Sequence, residues 1–292
     1  TLSELPVDIL NRLPADVLSP LSVDILSQLL PQVLGKLPTH VIGTLPGSVL
    51  AEVPPKRNSL GMSFKIVPGG SFTMSSGTAE LQNGTLVLGS ERHKVIVSTF
   101  EAGVHEVTQE QFESVIKMNP SHFRFDNNPV DSVTQADAIE FCKMLSRLPE
   151  ERAAGYIYDL PTRPQWEYAC LAGATTSYSF GDDPTDLGLY EWFEENSGES
   201  SHAVGRKRPN AWGLYDMQGN VSEWCKDTEI DPTGNYKGKH PIYTGGNWDS
   251  HAVNCRATER QASAYYPYNA NYNMNHFGFR VVRRAIDTGK QR

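Results

Sequence analysis

Residues 245–280 read GGNWDSHAVNCRATERQASAYYPYNANYNMNHFGFR. From Asp249 to His276 the stretch holds five Asn, four Tyr and five Ala, and no Lys, Gly, Leu, Ile, Phe or Trp. A half-buried strand would place branched apolar residues at alternate positions, and an amphipathic helix would repeat them at 3.6-residue spacing. Neither period is present. The composition is that of antibody combining loops, where Tyr supplies rigid amphipathic area and Asn and Ser supply adaptable hydrogen bonds. The glycine-bearing apolar signatures on either side, Gly245-Gly246-Asn247-Trp248 and Phe277-Gly278-Phe279-Arg280-Val281-Val282, are predicted to be strands that anchor this insert to a core.

Outward from there, 292 residues are enough to bury a full core with an appendage. A net charge of −8 excludes a general nucleic-acid surface, which needs a basic face to exchange for counterions. Arg206-Lys207-Arg208 is too short for one and reads as a solvated turn. No apolar run approaches the ~20 residues of a membrane span. Cys142, Cys170, Cys225 and Cys255 are widely spaced and form no CxxC pair, so a zinc site is not expected.

The N-terminal segment, 1–52, carries an octad repeat: LPVDILNR, LPADVLSP, LSVDILSQ, LLPQVLGK, LPTHVIGT, LPGSVLAE. Pro pre-sets a helical φ, and Asp8, Asp16 and Asp24 stand where a carboxylate favours first-turn amides. Each octad predicts one helical turn and a break, and stacked turns would bury the apolar positions five and six in a small solenoid. An extended stalk is the alternative. Residues 53–60 read as a linker, 61–284 as the main domain with a variable region at about 245–280, and 285–292 as a tail. Within the domain, Thr108, Thr134 and Thr162 are predicted helix N-caps. Residues 150–158 read as a loop, and Asn210 to Cys225 as irregular structure anchored by Trp212 and Trp224.

These pieces, in order, resemble the formylglycine-generating enzyme family, the sulfatase-modifying-factor domain. The resemblance rests on Gly61-Met62, Pro68-Gly69-Gly70-Ser71-Phe72-Thr73-Met74, Glu106-Val107-Thr108, Leu160-Pro161-Thr162 with Gln165-Trp166-Glu167-Tyr168-Ala169, Gly219-Asn220-Val221 with Glu223-Trp224, Gly245-Gly246 with Trp248, Cys255-Arg256 and Gly278-Phe279-Arg280. It implies an α+β fold, an elaborated C-type-lectin fold with much irregular structure. The family's oxidases hold copper on two nearby cysteines, since copper(I) prefers soft ligands. Here the C-terminal segment has only Cys255, with Ser250 and His251 where a reactive thiol would stand, so no oxidase is expected and no cofactor is required. Members that form sulfoxide bonds need an iron-binding histidine set that the octads, with only His40, do not offer. The resemblance leaves Cys170 and Cys255 as either a disulfide or a buried unbonded pair. It also marks Asn220, Val221 and Glu223 as a candidate structural calcium site, oxygen ligands being suited to a hard cation.

The segment is closer to the variable proteins of diversity-generating retroelements, which display a variable region on this lectin fold. There, adenine mutagenesis of codons such as AAC turns Asn into Tyr, Ser, Ala, Asp, His, Thr or Val. The segment is rich in these residues, while Glu259, Gln261 and Met274 depart from them and read as fixed. The expected ligand-binding residues are Asp249, Ser250, His251, Asn254, Tyr265, Tyr266, Tyr268, Asn269, Asn271, Tyr272, Asn273 and Asn275. Trp248, Cys255, Arg256, Arg260, Phe277 and Arg280 are expected to be scaffold. The expected partner is a protein or cell-surface ligand whose identity varies with the segment. That role places the chain at the cell surface or outside the cell, with a lipid tether upstream of Thr1. The competing readings are an enzyme of the family with altered chemistry, drawing on Asp249, Ser250, His251 and His276, and a non-catalytic assembly protein.

Overall fold

The computed structural model describes residues 2–75, 79–82, 85–88, 92–230, 239–258, 261–262 and 274–286. The octads form six short helices, α1 (Val7–Leu10), α2 (Ala15–Leu18), α3 (Val23–Leu26), α4 (Pro31–Leu34), α5 (Thr39–Ile42) and α6 (Gly47–Glu52). Each begins beside a residue in extended conformation, usually Pro, whose missing N–H costs nothing at a helix start. The sixth octad position is buried throughout, as Leu10, Leu18, Leu26, Leu34, Ile42 and Leu50, whereas Ile9 at position five is exposed. Position one turns inward as well in the later octads, as Leu29, Leu37 and Leu45, and Val33 at position five is buried too. The array also folds back on itself, with Leu30 N donating to Asn11 Oδ1 at 2.9 Å. Its core runs into the main domain through Val53 and Ile66.

Strand β1 (Lys56–Arg57) follows, then β2 (Ser63–Val67), β3 (Gly70–Ser75), β4 (Ala79–Gln82), β5 (Thr85–Leu88), β6 (Arg92–Val97) and β7 (Phe100–Gly103). Helices α7 (Gln109–Ile116), α8 (Gln135–Arg147) and α9 (Pro149–Ala154) lead to β8 (Tyr156–Asp159), and α10 (Arg163–Leu171), α11 (Leu187–Tyr190) and α12 (Glu194–Ser197) lead to β9 (Ser222–Ile230). The chain closes with β10 (Lys239–Thr244), β11 (Gln261–Ala262), β12 (Phe277–Gly278) and β13 (Val282–Ala285). An antiparallel five-stranded sheet has the order β1-β2-β7-β13-β8, and a four-stranded sheet the order β11-β10-β9-β12. In the second sheet β12 runs parallel to β9, Phe277 facing Ser222 and Gly278 facing Glu223.

Thr108, Thr134 and Thr162 each cap a helix, and in each capping box the N3 side chain, Gln111, Asp137 or Gln165, answers the cap's backbone. The core between α7, α8 and the sheets centres on Phe112, Phe141 and Phe279, with Phe112 and Phe141 stacked at 5.6 Å and Phe279 edge-on to both. Three expectations need correction. The stretch 53–60 is no linker, because Lys56 and Arg57 pair with Phe64 and Ser63, and Lys65 Nζ donates to the carbonyls of Ala51 and Val53. Residues 150–158 are not a loop: they complete α9 and enter β8, whose pairing with β13 extends to Ala285, so the presumed tail begins inside a strand. Residues 245–248 are not a strand but the turn that leaves β10.

Candidate functional site

The segment 249–274 leaves and re-enters the domain at one place. Trp248 N donates to Asn220 O at 2.9 Å, and Trp248 Nε1 donates to Asn275 O at 3.1 Å. One indole therefore joins the first residue before the segment to the last residues after it. The ring is buried, edge-on to Phe123 at 5.5 Å and tilted against His276 at 4.7 Å. Close backbone approach explains the paired glycines. Gly245 has φ +77°, and a Cβ on Gly246 would fall 2.4 Å from Cys255 Sγ and 2.8 Å from Gln218 O. Gln218 Nε2 in turn donates to Cys255 O, so the outgoing limb is pinned at Cys255 as well.

The returning limb is held by Arg280, which is 1% exposed. Its Nε and Nη2 donate to both oxygens of Glu223, with Nη2 at 2.6 Å from Oε1, and its guanidinium also reaches the carbonyls of Gly103, Tyr215 and Asp216. Glu223 Oε2 accepts from Trp166 Nε1 as well. Around this pair lie the buried carboxyls of Glu106, Asp216 and Glu191. Burial, with the charges of its acidic neighbours, pushes Glu106 well above the usual carboxylate range, and burial raises Asp216 to about 6 against the pull of Arg280. Excess acid around one cation favours the neutral form of the buried carboxyls.

The calcium reading does not fit this chemistry. Glu223 is neutralised by Arg280, Asn220 Oδ1 accepts from His202 N while its amide donates to Glu106 Oε2, and Val221 N donates to Glu106 Oε1. The Glu223 carboxylate and Asn220 Oδ1 are thus already answered by protein donors. Among the described residues no group of three His, Cys, Asp or Glu is arranged to hold a metal ion. Cys170 and Cys255 are free, buried thiols, as are Cys142 and Cys225, and burial pushes all four above the ordinary thiol range. Such thiols are inert rather than activated.

The expected ligand-binding residues divide. Asp249 and His251 are exposed, and His251 pairs with Glu194 on α12. Asn254 is half-buried. Ser250 and Asn275 are buried, at 7% and 4% exposure, which corrects their assignment to the contact surface. Ser250 Oγ accepts from Asn247 N, and Asn275 supplies the carbonyl that Trp248 holds. Tyr265, Tyr266, Tyr268, Asn269, Asn271, Tyr272 and Asn273, with scaffold candidate Arg260, lie outside the described residues. Arg256, expected to be scaffold, is exposed. His276 Nε2 does come within 3.7 Å of Asp249 Oδ2, but Ser250 is committed to the turn, so no Ser-His-Asp relay forms. Burial lowers the His276 pKa against the pull of Asp249. Phe123 and Glu194 were not singled out from the sequence. Both act across more than fifty residues of chain, where no local pattern signals a contact.

Residues 50–285 match the family described as the sulfatase-modifying factor enzyme 1-like domain, and the chain belongs to that family. Its fold is the elaborated C-type-lectin fold of the formylglycine-generating type. The chain is 30% identical over 268 residues to the chaperone protein LppX of Paenibacillus barcinonensis, covering 75% of this chain and 88% of that one. It is 29% identical over 182 residues to the formylglycine-generating enzyme of Streptomyces coelicolor, spanning 54% of each. The fold is shared with Treponema denticola variable protein 1, at a TM-score of 0.64 and 24% identity over 78% of this chain and 98% of that one. It is likewise shared with PvdO of Pseudomonas aeruginosa, at a TM-score of 0.61 and 21% identity over 79% of this chain and 98% of that one. No helix among the described residues is long and apolar enough to cross a membrane.

Proposed function

We propose that this chain is a ligand-binding display protein without catalytic activity, whose segment 249–274 is a binding surface diversified by a retroelement. The observation that carries the reading is the joining of both ends of the segment at Trp248, through its indole donation to Asn275 O. A loop closed at its base by buried residues can change its outward side chains without moving the frame. The Tyr/Asn-rich composition of that loop, and a fold shared with a variable protein, support the same reading. The four buried thiols supply no activated nucleophile or soft metal pair. The partner is a protein or cell-surface ligand, and the chain acts at the cell surface or outside the cell, held there by a lipid tether.

The test is to sequence this gene and its genomic neighbours across many cells of one population. Substitutions confined to codons 249–276, at adenines of a nearby template copy beside a reverse transcriptase gene, are the expected result. An invariant segment with no template copy would overturn the reading. The similarity to a protein named as a chaperone, extending over 88% of that protein, favours one other function: an accessory protein that binds a fixed client through the same surface. That function predicts an invariant segment and one client in every isolate.

A further inference from the structure

Where the octad array meets the five-stranded sheet there is a half-open cleft of about 570 Å³. Its size is that of a small-molecule site. Three elements bring cations to it: Lys36 from the turn between α4 and α5, Lys56 from β1, and Arg283 from β13. Arg284 alternates to the other sheet face, paired with Ile157, whereas Arg283 pairs with Glu101 and Tyr158. The one carboxylate in the lining, Glu101, is buried and already engaged. Its Oε2 accepts from Arg283 Nε at 2.7 Å, its Oε1 accepts from the Thr39 hydroxyl at 2.6 Å, and Lys56 Nζ lies 3.9 Å away. Three cations thus face one neutralised carboxylate, on a chain whose net charge is −8.

The floor of the cleft is rigid. The Arg283 guanidinium is sandwiched between the rings of Phe64, at 4.1 Å, and Tyr156, at 4.0 Å. Among the described residues Lys36 has no acidic partner, and the Tyr156 hydroxyl has no hydrogen-bond partner. Cations converging from separate elements repel one another unless an anion lies between them. We infer that this cleft binds a small oxyanion with at least two negative charges, which Lys36 and Lys56 grip while the Tyr156 hydroxyl donates to it. Because Lys36 belongs to the octads and Lys56 to the five-stranded sheet, the bound anion clamps the array onto the sheet. That gives the octads a part in a binding site in addition to their packing.

The test is calorimetric titration of the full chain at low salt with inorganic pyrophosphate and, separately, with citrate. Saturable one-to-one binding of either is expected, and which of them binds tells a phosphate ligand from a carboxylate one. The double variant Lys36→Gln/Lys56→Gln should weaken binding at least about tenfold, the loss of two charge-assisted contacts. Lys36 is exposed and Lys56 lies on the edge strand β1, so the variant should keep the wild-type circular dichroism without ligand. Lys143→Ala, which alters an exposed lysine on α8, should bind as the wild type does. A lack of saturation, or equal weakening in Lys143→Ala, would overturn the inference. A saturating anion should also raise the melting temperature of the wild type and not that of the double variant.

Discussion

Replacing Arg280 with Met keeps a side chain of similar length and removes the guanidinium from the centre of the domain. Glu223 would then be left buried without its counter-charge, beside the buried carboxyls of Glu106 and Asp216. Breaking a buried ion pair by removing one partner costs about 3–5 kcal/mol. The carbonyls of Gly103, Tyr215 and Asp216 also lose a donor, at roughly 1 kcal/mol or more each where water does not reach them. The expected loss is therefore on the order of 5 kcal/mol, comparable with the whole stability of many domains. For a chain of this size that corresponds to a fall in melting temperature of roughly 10–20 °C. Urea unfolding followed by tryptophan fluorescence is a suitable assay, because Trp166 donates to Glu223 and reports on the pair directly. The deficit should shrink as pH falls, because protonation relieves the uncompensated carboxylates. A loss under about 1 kcal/mol, or one independent of pH, would refute the view that Arg280 holds the returning limb by neutralising Glu223.

Gly246→Ala should cost about 1–3 kcal/mol, since its Cβ meets Cys255 Sγ and the Gln218 carbonyl; an unchanged urea midpoint would show that the turn can relax. Burial raises Glu167 from its ordinary 4.5 to about 7 against the pull of Arg163. Its folded-state pKa lies above the unfolded one, so folding takes up a proton between those values and stability falls as pH rises through that window. Glu167→Gln should flatten that slope between about pH 4.5 and 7, and a wild-type slope retained in the variant would count against it. Leu26→Ala, in the interior of the octad array, should cost about 2–5 kcal/mol locally. Amide exchange would show this as faster exchange across α2 to α4, and unaltered protection there would mean that the octads do not share a core.

Much of the architecture was legible because its signals are local. A capping box needs only Thr108 and Gln111, three residues apart, and each octad carries its own Pro and its own buried apolar position. Which octad residues turn inward was less legible, because positions five and six are equally apolar and only stacking decides between Leu10 and Ile9. Residues 53–60 and 150–158 were misread for a related reason. Their Pro, charge and Gly content is that of loops, and Lys56–Arg57 and Tyr156–Asp159 become strands only because β2 and β13 lie alongside to supply hydrogen-bond partners.

The candidate site divides in the same way. Composition alone marked 249–276 as polar, aromatic and unlike any regular element, and separated it from its apolar flanks. Neither composition nor spacing could show that Ser250 and Asn275 are buried, that Phe123 packs on Trp248, or that Glu223 pairs with Arg280. The octads and the caps are written in residues close together in the chain, so the sequence by itself determined them. The closed base of the segment, the acid-rich interior around Arg280 and the basic cleft under the octads join residues far apart in the chain. Only the tertiary structure decided those, because a charge or a ring acquires its role from what packs against it.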